Sequence, residues 1–172
     1  MKRTWAEVVA LHDEAVAAYA DAALAVPAER WSVERAPGKW SPAQITQHLI
    51  LAFEAAQRDI RDGVPMALRT KWYHRLVLRF TYQRRLLRQG IFPSGARAPR
   101  ESRPAEVTGT AEELVARFRS LAAELTGDVE RARSARPGAR ITHPYFGSTP
   151  LADAMFISAR HIHHHRGQLP GG

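Results

Sequence analysis

Four histidines fall within five residues near the end of the chain, at His161, His163, His164 and His165. Such a cluster is a tag, a basic tail or one wall of a metal site, and spacing separates these readings. Leu151, Ala154, Ser158, His161 and His165 follow steps of three, four, three and four. On a helix these steps form one stripe. Met155, Ile162 and Leu169 lie beside it, so the stripe faces into the fold. His161 and His165 then sit one turn apart, close enough for two imidazoles to converge on one ion. Helical zinc proteases use the same spacing. His163 is two residues from each of them and points elsewhere. His164, three residues after His161, is an alternative ligand or a group just outside the ligand set.

A third histidine sits on a second helix. In WSPAQITQHLILAFEAAQRDIRDG, Ser41 is the expected N-cap, Pro42 suits the first helical position and Gln44 completes a capping box. Ile45, His48, Leu49, Ala52, Ala55 and Ala56 then share one apolar face, and Gly63 suits the C-terminal stop. A lone histidine on an apolar face is usually a core residue. His48 together with the His161–His165 pair makes a joint metal site the stronger reading, because bundle cores build such sites from facing helices.

The remaining elements must position these residues. Residues 4 to about 25 repeat Trp5, Val8, Val9, Val16, Tyr19 and Ala23 at helical spacing in an alanine-rich segment that Pro27 ends. Pro27 to Lys39 reads as a connector. A third helix is expected from about Met66 to Arg88, with Trp72, Leu76, Phe80, Leu86 and Leu87 on a less regular face. Residues 90 to 109 show no period and contain three prolines and three glycines, the mark of a long loop. Thr110 and Glu113 form a second capping box before a helix to about Arg133. Residues 134 to 148 read as irregular, with one short extended piece near Ile141. Thr149-Pro150 resembles another capped start, for a helix running to about Leu169. Five helical segments and no clear strand pair make the chain all-α, a single bundle domain over residues 1–172.

Composition narrows the chemistry. There is no cysteine, which excludes disulfides, a protein thiolate and every cysteine-containing zinc site. Any ion must be held by histidine, carboxylate or water. Acidic residues interrupt the N-terminal apolar stretch and no run approaches a membrane span, so a soluble, cytoplasmic protein is expected. The net charge is +8, and Arg69, Lys71, Arg75, Arg79, Arg84, Arg85 and Arg88 follow one another with no acid between them. That run suits an anionic partner or a solvated helix face, and charge alone favours the second.

The patterns KWSPAQITQHL and HPYFGSTPLADAMFISARHIHHHRGQL resemble the DinB-like superfamily. The resemblance covers both ends of the chain. Between about residues 65 and 140 it extends only to helical character, and the basic helix and proline-rich loop are not part of the family's motif. It implies an up-down-down-up four-helix bundle, here with a long irregular insertion and an extra helix. It also implies a divalent metal on three histidines. One histidine follows the Trp40-Ser41-Pro42 helix start and two lie in the terminal motif, which maps them to His48, His161 and His165. Arg166, Gly167 and Gln168 complete that motif. It further implies chemistry with low-molecular-weight thiols, because characterised relatives include thiol-dependent transferases and a thiol-using isomerase.

Three neutral histidines leave a coordination position open, as in catalytic rather than structural zinc sites. Imidazole ligands suit zinc, nickel, iron and copper, with zinc and nickel foremost. The expected function is a metal-dependent enzyme activating a small thiol or a water, as a transferase or hydrolase, with a small-molecule substrate. No general base is evident from spacing. The alternative is a non-catalytic metal-binding bundle that binds nucleic acid or an anionic surface through its basic helix and loop. No nucleic-acid motif supports it. A homodimer through a bundle face is compatible with the pattern.

Overall fold

The computed structural model describes residues 3–67, 70–91, 97–105 and 107–171. Arg69 of the basic run, and residues 92–96 and 106 of the expected long loop, lie outside the described residues. Four long helices form the bundle: α1 (Trp5–Leu24), α3 (Pro42–Asp62), α6 (Ala111–Ala135) and α7 (Leu151–Arg166). Short helices α2 (Ala28–Trp31), α4 (Trp72–Leu78) and α5 (Arg84–Gln89) fill the connections. No helix among the described residues is long and apolar enough to cross a membrane.

The helix starts follow local chemistry. Thr4, Ser41 and Thr110 each accept a hydrogen bond from the backbone three residues on, and Glu7, Gln44 and Glu113 return it. Each box satisfies two amides that the first turn would leave unpaired, worth about 1 kcal/mol per cap. Gly63 ends α3 in the left-handed conformation, at φ 67°, where a side chain would be strained.

Side-chain pairs fix the directions of the helices. Tyr19 meets Thr46 while His12 meets Phe53, so α1 and α3 are antiparallel. Arg117 pairs with Glu54 and Asp128 with Arg61, so α3 and α6 run the same way. Trp5 lies under Arg133 and Tyr19 against Phe118, making α1 and α6 antiparallel. Arg3 stacks on Phe156, and Glu14 is a charged neighbour of His163, so α7 returns parallel to α1. The order is up-down-down-up. Parallel neighbours cannot be joined by a tight turn, which is why a long crossover separates α3 from α6.

The core between them is apolar and aromatic. Tyr19, Ile45, Leu49, Ile50, Phe118 and Ile162 are fully buried. Phe118 packs against Tyr19 at 5.1 Å and stacks on Phe53 at 5.4 Å. Asp128 is buried at the α3–α6 seam, where it accepts from Arg61 at 2.6 Å and Arg131 at 2.5 Å.

The bundle class holds, and four local expectations are corrected. The connector contains the one-turn helix α2, whose Trp31 is buried and donates its indole N–H to the Gly109 carbonyl at 3.2 Å. The third helix begins at Trp72 rather than near Met66. Upstream of it, the Ala67 backbone N–H donates to the Glu101 carboxylate instead of along a helix, and the Thr70 hydroxyl donates to the Tyr145 carbonyl. A π turn over Arg79–Gln83 joins α4 to α5. Finally, residues 140–150 form an antiparallel hairpin, β1 (Arg140–His143) with β2 (Gly147–Pro150). Thr149 is therefore a strand residue paired with Ile141. Its hydroxyl donates to the Gly147 carbonyl and does not cap α7.

Candidate metal centre

The His48, His161 and His165 side chains come together where α3 faces α7. One ring nitrogen from each lies within 4.8 Å of the other two. His48 Nε2 is 3.2 Å from His161 Nε2, and His165 Nε2 is 2.9 Å from the same atom. The rings meet edge to face, with centroids 4.6 to 5.1 Å apart.

Outer hydrogen bonds decide which nitrogens point inward. His48 Nδ1 lies 2.6 Å from the Ser102 carbonyl. A carbonyl only accepts, so the proton is on Nδ1 and Nε2 presents a lone pair. His165 Nδ1 donates to Gln168 Oε1 at 3.0 Å, which leaves its Nε2 a lone pair as well. Two lone pairs thus converge on a third imidazole nitrogen. Facing acceptors repel unless a cation stands among them.

The donor set fits a divalent ion. Nitrogen ligands at about 2.0–2.1 Å in a tetrahedron are about 3.3 Å apart, near the spacings observed. Metal-bound histidines commonly donate their outer N–H to a carbonyl or carboxamide, which orients the ring. His48 and His165 both do so here.

The electrostatics keep the rings in the ligating form. Burial pulls His48 below the ordinary histidine value, with the Ser102 bond opposing. Burial, then the neighbouring His48, brings His165 down to about 3. His161 is well below the ordinary range, from burial first and then from His165 and His48. All three are neutral near pH 7, as ligation requires.

Trp40 walls the site, with its ring 5.0 Å from His48 and 6.5 Å from His165. His48 and His165 are buried, while His161 is partly exposed. The deepest line of α7 runs through Met155, Ala159 and Ile162. The histidine stripe is therefore at the edge of the core.

The other histidines are placed differently. His164 is outside the three-nitrogen cluster and accepts from Gln168 Nε2 at 3.0 Å. His163 lies toward Arg160 and Glu14, away from it. His143 anchors the hairpin turn, its Nδ1 accepting from Tyr145 N–H at 3.2 Å and Phe146 N–H at 3.3 Å. His12 is fully buried beside Phe53, and neither ring nitrogen has a hydrogen-bond partner among the described residues.

The sequence places Trp40 and Gln168 in the family's motifs without a physical role, and it gives no sign of Ser102. Gln168 is three residues after His165 and four after His164, so helical spacing carries the signal for it. Ser102 acts through its backbone carbonyl, which no residue type announces.

A family model described as the DinB superfamily matches residues 3–169. The chain belongs to the DinB superfamily. The match spans the basic crossover as well as both motif-bearing ends. No curated protein and no solved structure matches the chain.

Proposed function

We propose that this DinB-superfamily protein is a metal-dependent enzyme that activates a small thiol, or a water, at His48, His161 and His165. The supporting observation is the convergence of three imidazole nitrogens whose outer partners, the Ser102 carbonyl and Gln168, hold two lone pairs inward. A divalent ion on these ligands, zinc or nickel foremost, supplies Lewis acidity and lowers the pKa of a thiol or water that reaches it.

The chain's own residues do the rest. His48 and His165 are held in one tautomer and one orientation by fixed partners. Trp40 excludes water from one side of the cluster. The partly exposed His161 marks the approach for substrate. Arg35 is a charged neighbour of both His164 and His165, which favours a substrate carrying an anionic group. A domain spanning residues 1–172 in the cytoplasm is consistent with this role.

The test is metal analysis of the purified protein beside His161→Ala/His165→Ala, followed by transfer assays with a panel of low-molecular-weight thiols. Stoichiometric metal in the wild type and its loss in the double variant are expected. Equal metal content in both proteins would overturn the reading.

A further inference from the structure

The helical run from Trp72 to Gln89 carries a second surface, away from the histidine cluster. No side chain of α4 is buried. Trp72, Leu76 and Phe80 follow steps of four, with Tyr73 and Val77 beside them, so the five form one continuous apolar stripe. Trp72 is 67% exposed, Val77 59% and Phe80 69%. A contiguous exposed stripe of large apolar side chains marks an interaction site, whereas scattered ones do not.

The π turn keeps that stripe outside. One extra residue in the turn re-aims the helix, so that Leu86 enters a small core with Phe146 and Ile157. The C-terminal half is thereby pinned to α7, and in α4 the half-buried Leu78 packs on the same small core while the Trp72–Phe80 side stays exposed. Such turns recur at functional sites.

The flanks of the stripe are cationic. Lys71, Arg79, Arg84, Arg85 and Arg88 are exposed. None is in an ion pair among the described residues, and no Asp or Glu occurs from residue 70 to 91. Phe80 shares a shallow cleft with Arg84, Arg85 and Arg88.

We propose that this helix docks the protein on an anionic lipid surface. The Trp72–Phe80 stripe enters the boundary between headgroups and acyl chains, and the arginines meet lipid phosphates. Helices that lie in a membrane interface combine an aromatic and aliphatic face with a Lys/Arg-rich one. Trp and Tyr suit that depth because each has an apolar ring and a polar edge. Charge argues against a second copy as the occupant. A two-fold contact sets the same patch against itself, here a row of cations in a chain of net charge +8. A nucleic acid would satisfy the arginines but leave Leu76 and Val77, between the aromatic rings, without a base or phosphate to match. The surface shares no residue with the metal centre, so the proposal does not depend on the metal reading.

The test uses the full chain and vesicles of phosphatidylcholine, alone or with about 30 mol% phosphatidylglycerol. Co-sedimentation should be at least about tenfold stronger on the anionic vesicles and should weaken as salt rises from about 0.1 to about 0.5 M. Val77→Ser/Phe80→Ser should lower partitioning about tenfold, with unchanged circular dichroism and metal content, since both side chains lie outside the core. Trp72 emission should shift to the blue on binding, a change missing from Trp72→Phe. Three results would overturn the proposal: no binding of folded protein to anionic vesicles, binding that the double serine variant does not alter, or a dimer in solution that the same variant dissolves.

Discussion

The His165 imidazole and the Gln168 side-chain amide are joined by a 3.0 Å hydrogen bond from Nδ1 to Oε1. The other end of the same amide donates to His164 Nε2 at 3.0 Å. One glutamine therefore sets the tautomer of two histidines and aims only His165 into the cluster. Partners of this kind typically change metal affinity by about 10–100-fold when removed. Gln168→Leu is expected to weaken metal binding by that factor in a chelator competition. Gln168→Glu keeps an acceptor for His165 and should retain most of the affinity. If Gln168→Leu binds like the wild type, His165 needs no outer partner.

His161 and His164 are three residues apart, yet only His161 has a ring nitrogen within reach of both His48 and His165. His161→Ala is expected to abolish stoichiometric metal, and His164→Ala to leave the stoichiometry unchanged. Elemental analysis of the two purified variants separates them. The reverse pattern would put His164 in the ligand set and require the last turn of α7 to rotate.

His12 gives a pH prediction that does not involve the metal. It is fully buried against Phe53, its ring nitrogens lack hydrogen-bond partners among the described residues although the Asp13 carboxylate lies 3.9 Å from Nδ1, and burial pushes it down to about 4. Above the ordinary histidine value near 6.5, neither the folded nor the unfolded chain is protonated there, and His12 adds no pH dependence. As pH falls below 6.5 the unfolded chain takes up the proton first, so stability drops. The loss levels off below about pH 4, after about 3 kcal/mol in full. His12→Leu should remove this component and also relieve the burial of an unpartnered imidazole, a gain of about 1–3 kcal/mol near neutrality. Urea titrations of both proteins between pH 4.5 and about 7.5 test it. Parallel stability curves for variant and wild type would show that His12 is already paired or hydrated.

How much was legible in the sequence depends on how local each signal is. The Ser41–Gln44 and Thr110–Glu113 boxes are three-residue relationships, and they fold as read. The His161–His165 step is likewise local. The meeting of His48 with that pair spans 113 residues, and its signal was the resemblance together with two stripes read as inward-facing, of which the one on α7 lies at the edge of the core. The hairpin at 140–150 escaped because its strands lack apolar alternation. Arg140 bonds Ser148, Thr142 N–H donates to Asp59, and the turn is held by the His143 ring instead of by strand propensity. Ser102 sat in a segment read as a loop, yet its carbonyl fixes His48. Backbone acceptors of this kind carry no residue signature. The π turn was invisible for a similar reason. It adds one residue to a helix of ordinary composition, and only the docking of Leu86 against Ile157 shows that it matters.

The position of the three histidines makes metal removal a stability experiment. His48 is on α3, His161 and His165 are on α7, and the Ser102 carbonyl brings in the crossover between α3 and α6. An ion held there ties together segments far apart in sequence, and the unfolded chain offers no preformed site. Binding that favours the folded state adds about 2.7 kcal/mol when free metal exceeds Kd about a hundredfold. For a chain of this length that corresponds to a rise in Tm of about 5–10 °C. Zinc or nickel should produce this rise in protein stripped by chelation, and added chelator should reverse it. His161→Ala/His165→Ala should show neither change. Hydrogen exchange should slow most in the segments around His48, Ser102 and His165, because those are the backbones that the ion would hold together. A rise in Tm that persists in the double variant would place the metal at other histidines, such as His74 on the exposed face of α4, and would detach the cluster from metal binding.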